Sequence, residues 1–308
     1  MSDHKVLKDF LESACSPKTL KSNRISKGYD GCLTIKVLRA LATAYNKDHL
    51  DNPINFSKDT SKKDLNRVLQ ERFAGVCGED NHAVCWVNKL QVRDSGIVEE
   101  VHNNSPVPRP KDWNYDPNQW LTNFDIQKYL NQYNRNDFKF LGVYPIDFNQ
   151  KTALNRCIID EMCTFSVDNY FKRGIKRFGV VFNLDRHDEP GSHWIALYCN
   201  MDPTTVNYGI YYYDSVSQTI PTSIHAFANN VKKQVLEREN NASKKFKIHW
   251  NKVRHQYSNT ECGMFSCTFL TCMILANNTP FAKLMKNKEI FNDKYMTNLR
   301  RKLFVNYK

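Results

Sequence analysis

The chain has 308 residues, a formal net charge of +12, 41% hydrophobic residues and 25% charged residues. This balance excludes a disordered chain. The longest apolar runs, such as residues 194–199, fall far short of the ~18–20 residues of a membrane span, and the opening Met-Ser-Asp-His-Lys-Val-Leu-Lys-Asp-Phe lacks the apolar core of a secretory signal.

Leu33, Val37, Leu38 and Leu41, and then Leu65, Val68, Leu69 and Phe73, recur at helical spacing, so the first 110 residues read as a small, mostly helical domain. Within it Cys77, His82 and Cys85 are three metal-capable residues with no fourth nearby, and neither a metal site nor a cofactor is expected. Ten irregularly spaced cysteines without a secretory signal are expected to be reduced thiols in an intracellular chain, with Cys157, Cys163, Cys267 and Cys272 packed as small hydrophobes. Residues 95–118 carry prolines at 106, 108, 110 and 117 and read as a linker or draped loop. The expected division is 1–110 and 111–308. Residues 1–110 carry 17 Lys+Arg against 14 Asp+Glu, a balance of +3, and 111–308 carry 27 against 18, a balance of +9. The excess lies mainly in residues 232–254 and 283–308, a pattern that attracts polyanions and equally describes solvated helix faces; no RNA-recognition or finger signature sharpens it.

After the prolines the pattern is mixed. Thr122 caps a predicted helix containing Phe124, Ile126, Tyr129, Leu130 and Tyr133, with Asp125 in its first turn. Residues 178–182, 194–199 and 208–213 read as strands, the last two joined by turn chemistry at 200–204. Residues 223–239 read as a helix, Phe246, Ile248 and Trp250 alternate as a strand, and residues 262–275 form a helix too apolar for a surface. The predicted class is α+β.

Cys262 falls at the start of that apolar helix, with Thr260 as the predicted N-cap, where the helix dipole and unpaired N–H groups favour thiolate. Gly263 is expected to let a substrate approach without a side chain in the way. Taken alone, Cys262 is equally a small buried hydrophobe. His193 stands where a polar loop meets a strand. If the two strands fold back at Asp202-Pro203, Asp214 lies opposite His193 and can orient the imidazole. Asp185, Asp188 and Asp202 are rivals without that support. Gln256, six residues before Cys262, offers an amide to a developing oxyanion. His255 is a rival base lacking a carboxylate partner, and Trp194 is expected to wall the substrate groove.

The phrases Gly191-Ser-His-Trp, Tyr213-Asp-Ser and His255-Gln-Tyr-Ser-Asn-Thr-Glu-Cys-Gly-Met-Phe, in the order His, Asp, Gln, Cys, resemble the ubiquitin-like-protein-specific (Ulp1-type) cysteine proteases. The likeness is nearest to members from large DNA viruses, such as the African swine fever virus polyprotein-processing protease and giant-virus homologues. It covers about 111–276 well and 277–308 loosely, and the first 110 residues resemble the viral helical arm in outline only. Asp214 departs from the swine fever enzyme, which has asparagine there. The resemblance implies a papain-like core of the Ulp1/adenain kind with a helical N-terminal extension. It implies a cysteine endopeptidase cutting after glycine, at Gly-Gly or Gly-Xaa sites, in a viral structural polyprotein in host cytoplasm or virion. A ubiquitin- or SUMO-like conjugate is the alternative substrate. An acyltransferase on the same fold and a basic binding module with a decayed core remain the competing readings.

Overall fold

The computed structural model describes residues 3–20, 32–135, 137–239, 245–275 and 279–307. The chain separates into two compact units, residues 1–117 with 298–308, and residues 118–297.

The first unit is built on helices α1 (Asp3–Glu12), α2 (Ile35–Asp48), α3 (Lys62–Cys77), α4 (Ala83–Lys89) and α5 (Ser95–Asn104). Thr34 and Ser61 cap α2 and α3 by accepting from Val37 N and Asp64 N. The periodic residues Val37, Leu38, Leu41, Leu65, Leu69 and Phe73 form its core around Trp86. The proline-rich stretch is not all loop. Residues 95–104 are helical because Asp94 caps Gly96 N and Ile97 N and the first proline comes only at 106. Strand β1 (Val107–Pro108) then pairs in parallel with residues 304–305.

In the second unit Thr122 and Asp125 form a capping box at α6 (Asn123–Asn131). Strand β2 (Phe138–Pro145) follows, then α7 (Asp160–Cys163), α8 (Val167–Lys172), β3 (Arg177–Asn183), β4 (Trp194–Asn200), β5 (Gly209–Tyr213), α9 (Thr222–Arg238), β6 (Lys247–Trp250), α10 (Cys262–Leu275), α11 (Phe281–Leu284) and α12 (Asp293–Leu303). Strand β7 (Phe304–Val305) belongs to the first unit, where it pairs with β1. The sheet order is β2-β3-β4-β5-β6; β3-β4 and β4-β5 are antiparallel, and the two outer pairings are parallel. Strands β3, β4 and β5 are buried on both faces. One face packs on Phe165, Phe227 and Val231 of the α8–α9 side. The other meets α10, where the Tyr213 and Phe269 rings stack at 4.7 Å. Every residue of α10 is buried, as its uniform apolarity requires.

The cysteines differ from expectation. Cys15–Cys32, Cys77–Cys85 and Cys157–Cys163 are disulfides, because folding brings their Cα atoms to 5.4, 6.2 and 6.4 Å, within the span such a bond takes. Cys77 and Cys85 therefore hold each other, and Cys157 and Cys163 are bonded rather than separately packed. The reduced-thiol argument for an intracellular chain falls with them. No helix among the described residues is long and apolar enough to cross a membrane.

Candidate active site

Helix α10 starts at Cys262 itself. Phe265 N donates to Glu261 O, and Thr260 Oγ1 bonds Glu261 Oε1, so the helix begins one residue later than a Thr260 cap predicts. Ser266 Oγ donates to Trp194 O at 3.1 Å and ties the first turns of α10 to the head of β4. Gly263 is buried, and a Cβ there would lie 3.2 Å from Leu121 Cβ and 3.3 Å from Trp194 Cδ1. What its missing side chain admits is therefore Leu121 and Trp194.

His193 immediately precedes β4. The hairpin register pairs Ala196 with Tyr213, so Asp214 continues opposite Ile195 rather than His193, two residues from the expected register. An even slip keeps both side chains on the same side of the sheet, and His193 Nε2 donates to Asp214 Oδ1 at 2.7 Å. Asp214 is fully buried and also accepts from Val216 N at 2.9 Å and Gln218 N at 3.1 Å. With Nε2 engaged by Asp214, Nδ1 is the ring nitrogen that this bond leaves over. Burial by itself would lower the pKa of His193. The hydrogen bonds with Asp214 and Cys262, and the charges of both, outweigh it and push it up to about 9. The imidazole is set to hold a proton beside the thiol.

The loop that delivers His193 is braced from β3. Asn183 Oδ1 accepts from Asp185 N and Ser192 N, and Leu184 N donates to His193 O. Gly191 has φ +95°, and a Cβ on it would meet Asn183 Nδ2 at 2.7 Å, so only glycine lets that loop close on Asn183. Of the rival acids, Asp185 accepts from Ser192 Oγ, Asp188 pairs with Arg186, and Asp202 caps Thr204. His255 has both ring nitrogens engaged, with Tyr213 Oη at 3.1 Å and Met285 O at 2.9 Å.

Gln256 is buried in the loop between β6 and α10. Its Oε1 accepts from Ser215 Oγ at 2.6 Å and its Nε2 donates to Ser258 O at 2.8 Å, which fixes the amide and leaves one N–H uncommitted by these bonds. Ser215 O also accepts from His255 N and Gln256 N. Asn251 clamps the Asp214 backbone from both sides, its Oδ1 accepting from Asp214 N and its Nδ2 donating to Asp214 O at 2.7 Å. Ser215 and Asn251 escaped sequence reasoning because a serine beside an aspartate, or an asparagine after a strand, is ordinary surface composition. Only the parallel β5–β6 pairing brings their loops together. Trp194 is buried, with its indole N–H donating to Leu121 O at 3.0 Å. It bounds a cavity of about 570 Å³ whose other walls include Trp120, Leu121, Tyr144 and Pro190.

Residues 180–308, which contain His193, Asp214, Gln256 and Cys262, match the Ulp1 protease family, C-terminal catalytic domain. These residues are thus similar to a Ulp1-family cysteine protease domain. Two viral relatives extend the likeness beyond that domain. "Putative thiol protease R355" of Acanthamoeba polyphaga mimivirus is 25% identical over 304 residues, 91% of this chain and 89% of the relative. A cysteine protease of African swine fever virus is 22% identical over 269 residues, 83% and 93% of the two chains. In other isolates the swine fever relative is named a SUMO-1 cysteine protease. The crystal structure of the swine fever virus protease superposes with a TM-score of 0.59 at 19% identity, covering 96% of each chain. The fold is thus that of a Ulp1-type protease, α+β with a helical N-terminal region, and the enzyme is a cysteine peptidase.

Proposed function

We propose that this peptidase cuts after glycine in a polyprotein, with Cys262 as nucleophile, His193 as its proton partner, Asp214 orienting His193, and Gln256 with backbone N–H groups receiving the oxyanion. The observation that carries the assignment of roles is the His193 Nε2–Asp214 Oδ1 bond of 2.7 Å, on an imidazole whose proton affinity Asp214 and Cys262 together raise. Cys262 Sγ attacks the scissile carbonyl carbon, negative charge collects on the carbonyl oxygen, and the imidazolium gives its proton to the departing amine. Water then attacks the thioester, with His193 taking its proton and Cys262 leaving as thiolate.

The preference for glycine is supported by the wall beside the nucleophile. Trp194 is wedged by its bond to Leu121 O and its contact with Gly263, so the ring cannot retreat from a bulky residue next to the cut. The cavity beyond it, walled by Trp120, Tyr144 and Pro190 and by polar residues such as Asn183 and Arg186, receives the segment preceding the cut. Polyprotein maturation is favoured by the resemblance of residues 181–197 and of the helical N-terminal unit to the polyprotein-processing proteases of large DNA viruses, and the two relatives that this chain matches over most of its length are viral. Both the virion and the host cytoplasm suit such work. The N-terminal helical unit has the role of positioning large substrates. The second reading, deconjugation of a ubiquitin-like protein, draws on the SUMO-1 protease name of the swine fever relative. A matched pair of substrates separates them: linear peptides with an internal Gly-Gly, and fluorogenic SUMO or ubiquitin C-terminal conjugates. Turnover of the linear peptides and not the conjugates is expected. The reverse pattern selects the second reading, and efficient cleavage after leucine in place of glycine removes the glycine argument.

A further inference from the structure

Strand β6 is an edge of the sheet, and the chain running from it toward α10 has an unusual surface. Residues 245–257 contain Lys245, Lys247, Lys252 and Arg254 and no acidic residue. All four cations are exposed, and none has a carboxylate partner among the described residues. The same stretch holds three of the nine large hydrophobic side chains exposed among the described residues: Trp250 at 43%, Val253 at 40% and Tyr257 at 71%. The remaining six are scattered along the chain. Each exposed ring has its own cation, with Lys252 Nζ 5.6 Å from the Trp250 centroid and the Arg254 guanidinium 5.0 Å from that of Tyr257.

We infer that this surface binds single-stranded nucleic acid. The ligand must supply two things at once, negative charge for the cations and flat π faces for the exposed rings, and it must supply them alternately along an extended path. A single strand does so, phosphate to Lys252 and Arg254, unpaired base to Trp250 and Tyr257. A duplex keeps its bases stacked away from the rings. An acidic peptide satisfies the cations and leaves the rings bare. The stretch is also firmly held where it meets the protein: Asn251 bonds Asp214 and Val253 O, and Arg254 Nε donates to Gln256 O at 2.7 Å. The platform is therefore ordered before any ligand arrives, and the bound strand lies within a few residues of the loops carrying Asp214 and Gln256. This inference does not depend on the peptide substrate.

The test is fluorescence anisotropy of the full chain with labelled oligo-dT of about 16 nucleotides, a duplex of the same length and a poly-glutamate peptide, across a salt series. Oligo-dT is expected to bind best. Trp250→Ala and Tyr257→Ala should each weaken it by at least about fivefold while leaving the salt slope unchanged. Lys247→Gln with Lys252→Gln, which change exposed ammonium groups and leave the backbone pairing of β6 as it is, should lower the slope of log K against log salt by about 1.4, at ~0.7 per cation on a single strand. Absence of oligo-dT binding at low salt overturns the inference. So does unchanged affinity in both ring variants, an unchanged slope in the lysine variant, or equal or tighter binding of the duplex or the poly-glutamate.

Discussion

Replacing Asp214 with asparagine is nearly isosteric and changes one thing, the number of acceptors offered to three converging donors. In the native protein Oδ1 takes His193 Nε2 and Val216 N, and Oδ2 takes Gln218 N. A carboxamide keeps one oxygen, and its NH₂ then faces an N–H in a fully buried site, at a cost of about 1–3 kcal/mol. The larger consequence is for the imidazole. A pKa pushed up to about 9 from 6.5 corresponds to roughly 3 kcal/mol in favour of the charged ring. In Asp214→Asn the burial that lowers it remains, the carboxylate charge is gone, any bond from His193 Nε2 to the amide oxygen is a neutral one, and Cys262 is the one charge left to oppose burial. The proton affinity of His193 should fall at least tenfold. Because the folded pKa lies above the unfolded one, the imidazolium stabilises the protein fully below pH 6.5 and that contribution disappears as pH rises through about 9. The assay is the rate of Cys262 alkylation by iodoacetamide as a function of pH, alongside melting temperature at pH 6 and pH 10. The wild-type alkaline limb, which belongs to the thiol–imidazole pair, should sit near 9, and in Asp214→Asn it should move at least one pH unit lower. The difference in melting temperature between the two pH values should shrink. An alkaline limb that stays in place in the variant refutes the account.

Cys262→Ala and His193→Ala should each lower kcat by several orders of magnitude with the fold retained by circular dichroism; wild-type cleavage by either variant ends the mechanism. Gln256→Ala should reduce kcat by ~10²–10³ with little change in KM, whereas a pure rise in KM would place Gln256 in the groove. Ser215→Ala, which only releases the Gln256 amide, should lose about tenfold in kcat, and rescue by Ser215→Thr distinguishes positioning from packing. Glu161, on the loop closed by Cys157–Cys163, bonds Tyr170 Oη at 3.0 Å and Tyr144 Oη at 3.4 Å, and Tyr144 lines the cavity beyond Trp194. Steady-state kinetics of Cys157→Ser with Cys163→Ser should therefore show a several-fold rise in KM at unchanged kcat, and an equal fall in kcat would contradict this.

Much of the catalytic unit was legible because its signals are local. Residues 262–275 are apolar on every side and form a helix with those same bounds. The Thr122 cap and the strands around Phe178–Phe182 and Trp194–Cys199 also follow from neighbouring residues. The pairing of His193 with Asp214 survived a register wrong by two because side-chain alternation forgives even slips; an error of one would have turned Asp214 away. Features that depend on the chain meeting itself at a distance stayed hidden. Three cysteine pairs close only in the fold, strand β2 was passed over, and the brace of Ser215 and Asn251 needs β5 and β6 side by side. The prolines after residue 105 masked the helix ahead of them, because a composition window averages across a boundary that the Asp94 cap and Pro106 place sharply.

The distribution of sulfur has a practical consequence. Of ten cysteines, six are bonded in disulfides and the four free ones are Cys199, Cys262, Cys267 and Cys272. Burial pushes the thiols of Cys199, Cys267 and Cys272 far up, and none of the three stands beside a basic partner. The native protein is thus a singly addressable reagent. An electrophile should modify Cys262 once and stop, a non-reducing unfolded sample should take up four equivalents, and a reduced one ten. Intact-mass spectra at these three stoichiometries read out the nucleophile, the fold and the covalent cross-links in one titration, before any substrate is in hand.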